Sequence, residues 1–212
     1  MSEEEIFEQF KKAVIEMDEE RAKAIAEDAL SQGVDPLDCI EKGLSEGMKV
    51  ISEKFDNAEI FVPHILLAAD TFIGAIDLLS PHIEGGYVGK GKVLIHTVAG
   101  DIHDIGKNIV AIMLEANGYE VIDLGRDVPV MEVVDASVEN KVDFIAGSAL
   151  MTTTMPAQRE IMNELKDRGI REEFKCVFGG APTTQDWIDE IGADGWAENA
   201  AEAVDVVSGL VD

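Results

Sequence analysis

The stretch KVLIHTVAGDIHDIGKNIV, residues 92–110, combines three kinds of local structure. A β-branched apolar run at 92–98 predicts a buried strand, and the loop 99–106 carries acidic residues, a histidine and glycine. A helix is predicted to begin near Gly106. The same strand–loop–helix order recurs with strands predicted at 119–124, 142–147, 175–180 and, more weakly, 194–197. Helices between and after them are predicted to begin near Val130, Pro156, Thr184 and Asn199.

Alternating strands and helices predict a doubly wound parallel α/β sheet. With five strands, the common order 2-1-3-4-5 places the topological switch point between strands 1 and 3. We therefore expect ligands at the loops after those strands, residues 99–106 and 148–155.

Residues before 85 show helical periodicity and almost no strand pattern. Four helices are expected, at 6–17 and 22–30, from Asp35 and Pro36 onward, and at 62–79. The third has an apolar face made of Leu37, Ile40, Leu44, Met48, Ile51 and Phe55. We thus predict an α+β protein with a four-helix bundle at 1–84, a Gly-rich linker at 85–91 and a five-stranded α/β domain at 92–212.

Composition excludes several classes of function. The chain of 212 residues has a formal net charge of −26, which opposes binding to nucleic acid or an anionic membrane. Its two cysteines form no disulfide framework, and its acidic N-terminus is unlike an export signal. Asp70 and Asp77 interrupt the most apolar helix, so we expect a buried helix and a cytoplasmic protein.

The loop 99–106 offers chemistry through Asp101, His103 and Asp104. Asp101 is placed to accept a hydrogen bond from one ring nitrogen of His103, leaving the other as a base or metal ligand. The alternative is that an aspartate caps the following helix and His103 is a solvated loop residue. GYVGKGKV, residues 86–93, imitates a phosphate loop but precedes a strand and lacks the Ser/Thr, so we interpret it as linker.

Three motifs together are similar to a known family. Asp101-x-His103-x-x-Gly106, Ser148-x-Leu150 and Gly179-Gly180 each follow a strand, and they resemble the cobalamin-binding module of methionine synthase and of methyl-carrying corrinoid proteins. EGMKVISEKF and EIFVPHILLAAD resemble the helical cap of the same proteins, so the resemblance covers nearly the whole chain. In size and layout it resembles the methylamine corrinoid protein family of methanogens and acetogens.

The resemblance implies a site. His103 would be the lower axial ligand of cobalt, supported by Asp101 and by Thr154, which stands where methionine synthase has serine. The cap would place Phe55, Val62 and Glu41 near the cofactor, although the family more often has leucine at position 62. The remaining residues implied to bind cobalamin are Gly100, Ile102, Asp104, Gly106, Ser148, Leu150, Thr152, Gly179, Gly180 and Ala200.

The resemblance also implies a function. Cobalamin, alternating between cob(I)alamin and methylcob(III)alamin, would carry a methyl group from a substrate-specific corrinoid methyltransferase of methylamine or quaternary-amine type. A second methyltransferase would pass the group to coenzyme M or tetrahydrofolate, and a reductive activase would restore the cofactor. The chain would then be a subunit of a methyltransferase system rather than a complete enzyme. The alternative is a cobalamin-dependent sensor or a flavodoxin-like binding module without methyl transfer.

Overall fold

A computed structural model describes residues 2–83 and 89–211 of the chain. It forms two compact units, a helical unit within residues 1–88 and an α/β unit within residues 89–212, apart from the short segment 115–117, which groups with the first. The linker predicted at 85–91 lies mostly outside the described residues, as do the first three residues of the stretch 86–93 that imitates a phosphate loop. The domain boundaries proposed from the sequence therefore stay a prediction.

The helical unit contains four helical rods. They are α1 (Glu3–Glu16), α2 (Glu19–Gln32), a composite rod of α3 (Pro36–Asp38), a π-helical segment (Cys39–Leu44) and α4 (Ser45–Asp56), and α5 (Val62–Leu79). The expected cap is present, because the Leu37 backbone N–H donates to Asp35 Oδ1 over 2.8 Å. A short 3₁₀ turn, Ser80–His82, follows α5.

The π-helical segment changes which residues face the core. Ile40, Leu44, Met48 and Ile51 are buried as the periodicity predicts, but Leu37 is 40% exposed. A π-turn holds more residues than an α-turn, so residues before it rotate relative to those after it. The sequence pattern, which assumed one regular helix, was wrong for Leu37 for this reason.

Small residues let the helices of this unit approach closely. A Cβ atom at Gly43 would lie 2.8 Å from Phe10 Cβ, and one at Gly47 would lie 2.7 Å from Val14 Cβ, so α1 packs directly on the backbone of the composite rod. The segment Val62–His82 has the length and hydropathy of a membrane span. It nevertheless contributes Ile65, Phe72 and Leu79 to the buried core.

The α/β unit follows the predicted alternation of elements. Its strands are β1 (Lys92–Thr97), β2 (Glu120–Asp123), β3 (Phe144–Ser148), β4 (Lys175–Gly179) and β5 (Gly195–Ala197). Its α-helices are α6 (Ile105–Ala116), α7 (Val130–Asn140), α8 (Pro156–Asp167), α9 (Gln185–Ile191) and α10 (Ala200–Gly209), with a 3₁₀ turn at Arg171–Glu173. Thr184 and Asn199 are N-cap residues, whose side chains accept from Trp187 N and Glu202 N.

The sheet is entirely parallel in the order β2-β1-β3-β4-β5, as predicted. One face packs against α7, α8 and α9 through a core that includes Leu94, Ile145 and Phe178. The other face packs against α10, because a Cβ at Gly195 would lie 2.5 Å from Val206 Cγ1. The loops after β1, β3 and β4 therefore meet at the carboxyl edge of the sheet, where such folds bind ligands.

Candidate functional site

Asp101 organises the carboxyl edge of the sheet. Its Oδ1 accepts the His103 backbone N–H over 3.1 Å and lies 2.8 Å from His103 Nδ1. Its Oδ2 lies 2.7 Å from both Leu150 N and Thr154 Oγ1, and 3.3 Å from Met151 N. One carboxylate thus joins the loop after β1 to the loop after β3.

Asp101 is completely buried, yet its environment favours the carboxylate. Burial alone would raise the pKa of Asp101, but hydrogen bonds from Thr154, His103 and Leu150 outweigh burial and hold that pKa well below its usual range. The described partners of the Asp101 oxygens lie in the loops after β1 and β3 and not in α6, so the interpretation of Asp101 as the cap of α6 was wrong. Asp104 contributes its carbonyl oxygen to the start of α6, as the acceptor of Asn108 N over 2.8 Å.

His103 presents its ring outward. Its side chain is 47% exposed, while the Asp101 carboxylate beside Nδ1 is not exposed at all. A carboxylate can only accept, so a neutral His103 carries its proton on Nδ1 and has a lone pair on Nε2. His103, Asp101 and Thr154 form a continuous hydrogen-bonded row, which the sequence predicted from their spacing and the resemblance.

A second row, of small side chains, crosses four strands. Thr97, Ser148, Gly179 and Ala197 are aligned in register from β1 to β5. They share the face of Gly195, which packs against α10, since residues two apart on a strand point the same way. Thr97 Oγ1 is buried without a hydrogen-bond partner among the described residues. A polar group buried in this way costs free energy unless something else satisfies it.

The two glycines at the carboxyl end of β4 are required by the packing of neighbouring backbones. The resemblance implies that Gly179 and Gly180 bind cobalamin. A Cβ at Gly180 would lie 1.8 Å from Ala149 O, and one at Gly179 would lie 2.8 Å from Ala197 O. Gly180 also has a φ of +121°, so both glycines are required by the contact of neighbouring backbones.

Other predicted residues lie at or near the same edge. Ile102 is 61% exposed and Leu150 45% exposed, so both offer apolar surface beside His103. A Cβ at Gly106 would meet no described atom within 4 Å. The remaining predicted residues are Gly100 and Thr152, which are exposed, and Asp104, Ser148 and Ala200, which are half-buried.

Three predicted residues belong to the helical unit. Phe55 and Val62 are half-buried, at the end of α4 and the start of α5, and Glu41 is exposed within the π-helical segment. Their proposed contact with the cofactor stays a prediction.

A buried polar group lies below the edge of the sheet. Burial lowers the pKa of His96 to about 4, and both its ring nitrogens lack a partner among the described residues. Lys107 is also buried and pairs with Asp123 over 2.5 Å. His96 faces Gly147 and Phe178, because a Cβ at Gly147 would lie 2.9 Å from both side chains. His96 therefore lies on the face of the sheet that packs against α8.

No cluster of three or more His, Cys, Asp or Glu side chains capable of holding a metal ion occurs within residues 2–83 and 89–211. The edge instead offers one nitrogen ligand, on His103. One axial nitrogen suits a metal whose equatorial positions a macrocycle already fills.

Two features of the site were missed by sequence reasoning. The backbone donors Leu150 N and Met151 N depend on loop conformation, which no residue pattern shows. Gln158 is fully buried on α8 and bonds the carbonyls of Gly147 and Gly179, while Trp187 Nε1 donates to its Oε1 over 2.9 Å. Gln158 is a polar residue on the buried, otherwise apolar face of α8, and this exception to the pattern could have indicated the contact.

Comparison with known proteins defines the class. Residues 91–205 match one family model described as a B12 binding domain, and residues 6–80 match a second model with the same description. Together with the parallel sheet and the outward-facing His103 at its carboxyl edge, these matches define a B12-binding protein.

The relatives define the family. The chain is 45% identical to trimethylamine corrinoid protein 1 of Methanosarcina acetivorans, over 99% of both chains. It is 42% identical to monomethylamine corrinoid protein 1 of the same organism, over the full length of both. A solved methanol:cobalamin methyltransferase complex of Methanosarcina barkeri is also similar, with a TM-score of 0.77 and 36% identity over 100% of this chain and 83% of that chain. The chain belongs to the methylamine corrinoid protein family, and cobalamin is its cofactor.

The residues at the edge fit this cofactor. His103 offers the ring nitrogen that an axial ligand needs, since its other nitrogen is engaged by Asp101. The row from Thr97 to Ala197 offers a face of small side chains with one unsatisfied hydroxyl, which suits an extended, polar ligand segment.

Proposed function

We propose that this chain carries a methyl group on the cobalt of bound cobalamin between two methyltransferases. The first would take the group from a methylamine or quaternary amine, and the second would deliver it to coenzyme M or tetrahydrofolate. The observation that carries the proposal is the hydrogen-bonded row His103–Asp101–Thr154, which presents one imidazole at the carboxyl edge of the sheet. When bound, cobalamin supplies a cobalt centre that can accept and release a methyl group.

Asp101 would fix the tautomer and the orientation of the His103 ring. Held in one tautomer by the carboxylate, His103 directs the Nε2 lone pair outward as the proposed axial ligand. When Nε2 is disengaged it can take up a proton, and the resulting imidazolium keeps a charge-assisted hydrogen bond to Asp101. Thr154 completes the row by donating to the second carboxylate oxygen.

The remaining proposed residues divide between the two sides of the cofactor. On the side of His103, the proposed contacts would come from its neighbours in sequence and from the loop after β3. These residues are Gly100, Ile102, Asp104, Gly106 and Leu150. The nucleotide-bearing tail of cobalamin would be held by Ser148, Thr152, Gly179, Gly180 and Ala200. We add Thr97, because its hydroxyl has no hydrogen-bond partner among the described residues. Phe55, Val62 and Glu41 would cover the reactive face from the helical unit.

The proposed partners follow from this role. A substrate-specific corrinoid methyltransferase, a second methyltransferase and a reductive activase must each reach the cofactor. A similar solved chain belongs to a methanol:cobalamin methyltransferase complex, which supports a methyltransferase as partner. The comparisons give no support to a sensor. The acidic composition supports a cytoplasmic protein that binds neither nucleic acid nor membrane.

The axial ligand is tested with the chain reconstituted anaerobically with hydroxocobalamin. We expect stoichiometric cofactor to remain through gel filtration and nitrogen splitting in the Co(II) electron paramagnetic resonance (EPR) spectrum. His103→Ala should retain cofactor with weaker affinity but lose the nitrogen splitting. His82→Ala, at an exposed histidine of the helical unit, is the control and should match the parent. An unaltered nitrogen-split spectrum in His103→Ala would show that another group is the ligand.

Methyl carriage is tested separately. The loaded and reduced chain is incubated with methyltransferases of the methylamine, quaternary-amine and methanol classes in separate reactions, each with its own substrate labelled in the methyl group. Label that elutes with the chain, and is released to a second methyltransferase, supports the proposal and identifies the donor. If no class transfers label to a chain that binds cobalamin with His103 ligated, methyl carriage is wrong while the site assignment stands.

A further inference from the structure

The loop after β2, residues 124–129, lies along the end of β1 and the loop that carries His103. Thr97 N donates to Gly125 O over 2.9 Å, and Val128 N donates to Thr97 O over 3.2 Å. Val98 and Val128 form an isolated parallel bridge beyond the regular ladder. The loop after β2 thus extends the sheet up to the residues that precede Asp101.

Asp127 makes two hydrogen bonds from this loop to the loop that carries His103. Its Oδ1 accepts the Gly100 backbone N–H over 2.7 Å, and its own backbone N–H donates to Asp101 O over 3.0 Å. Asp127 therefore holds the backbone at Gly100 and at Asp101, the two residues that come just before His103 in this loop.

The turn that Asp127 holds has a specific conformation. Asp101 N donates to Val98 O over 3.1 Å, and Gly100, the third residue of this turn, has a φ of +81°. That φ is typical of the third residue of a type II turn. Bonding the Gly100 N–H favours this orientation of the peptide, and with it the direction in which the Asp101 side chain leaves the turn.

The backbone of Asp127 is itself strained. Its φ is +55°, a left-handed conformation that most residues avoid and that Asp and Asn tolerate better than others. Because Asp127 is exposed, packing does not explain this conformation. The two hydrogen bonds to the His103 loop do explain it.

We propose that Asp127 is a positioning residue for the axial histidine, acting through Gly100 and Asp101. The inference rests on the proposed role of His103 as the cobalt ligand. Arg126 adds a weaker contact between the same two loops, an ion pair in which its Nη1 lies 3.9 Å from Asp104 Oδ2. Asp127 does not touch the imidazole, and its effect is on the fraction of protein in which His103 is placed to bind cobalt.

The test compares three substitutions in the cobalamin-loaded chain, with Co(II) EPR as the readout and spectra normalised to bound cofactor. Asp127→Ala removes the acceptor and keeps the strain, Asp127→Gly removes the acceptor and relieves the strain, and Asp127→Asn keeps an acceptor oxygen and tolerates the φ. We expect Ala and Gly to lower the ratio of nitrogen-ligated to water-ligated cobalt by about tenfold, since hydrogen bonds to charged groups contribute at that scale. Asn should restore most of the ratio.

Two controls make the outcomes separable. Lys141→Ala changes another exposed residue of positive φ, 52°, which lies before β3 and away from the edge that carries His103, and it should leave the ratio unchanged. His103→Ala should abolish the nitrogen splitting, and if it does not, the proposed ligand fails first. If His103→Ala abolishes the splitting while Asp127→Ala and Asp127→Gly both match the parent, positioning by Asp127 is wrong. If Asp127→Gly alone matches the parent, the backbone rather than the carboxylate is responsible, and the proposal for the side chain is overturned.

Discussion

The helical unit and the α/β unit bury different kinds of side chain. Among the described residues before 84, the only buried polar side chains are Ser45 and Thr71. Those buried in the α/β unit are His96, Thr97, Asp101, Lys107, Ser137, Thr154, Gln158 and Thr183, and Asn117 is buried in the segment 115–117 that groups with the helical unit.

Most of the polar groups buried in the α/β unit serve its carboxyl edge or lie just below it. Asp101 and Thr154 bond each other across two loops, and Lys107 pairs with Asp123 at the end of β2. Burying polar groups costs free energy that apolar packing must offset. The helical unit gains stability mainly from close helix packing, whereas the α/β unit uses part of its core to hold a precise arrangement of ligating groups.

The largest effect is expected at Asp101. Asp101→Ala would leave the backbone N–H groups of His103, Leu150 and Met151 without their acceptor, while Thr154 Oγ1 keeps only Met151 O, so we expect unfolding free energy to fall by about 3–5 kcal/mol. Denaturant titration measures this loss. Asp205→Ala, at an exposed position of α10, is the control and should change little. A loss at Asp101 no larger than the control would show that the buried polar row contributes nothing to stability.

His96 tests whether a buried polar group of the α/β unit is a liability in acid. Because burial lowers the pKa of His96 to about 4, the unfolded chain binds a proton at higher pH than the folded chain does. Stability from this residue is full above about pH 6.5 and falls toward pH 4, by about 3 kcal/mol in total. His96→Leu should remove this part of the pH dependence, measured as unfolding free energy at pH 7 and pH 4. Parallel pH profiles in the two proteins would contradict the assignment.

Gly47 tests the close packing of the helical unit. Alanine normally favours a helix over glycine by about 1 kcal/mol. At position 47, however, its Cβ would lie 2.7 Å from Val14 Cβ, so we expect Gly47→Ala to destabilise by about 1–2 kcal/mol. Gly209→Ala, where no atom of the described residues lies within 4 Å of the added Cβ, should be neutral or stabilising. If both variants are stabilising, the space between Gly47 and Val14 is wider than the contact of α1 with the composite rod implies. Hydrogen exchange of α1 would locate the effect.

The sequence by itself determined the architecture. Hydrophobic periodicity predicted the four helical rods and the five strands, because these depend on patterns repeated along the chain, and the sheet order is the common one for five alternating strands. The spacing of Asp101 and His103 indicated their hydrogen bond, and the resemblance to the cobalamin-binding family implied that Thr154 joins them, as the hydrogen bonds of the structure show.

Tertiary structure alone decided how that row is held. The backbone donors of Leu150 and Met151, the support of Gly100 by Asp127, and the unsatisfied hydroxyl of Thr97 all depend on which loops and strands become neighbours. The close approach of the Ala149 carbonyl, which leaves no room for a Cβ at Gly180, is also a tertiary feature. So is the π-helical segment that leaves Leu37 exposed. The physical reason is that local patterns determine which element each segment forms, whereas hydrogen bonds and steric contacts between distant segments exist only after those elements have packed.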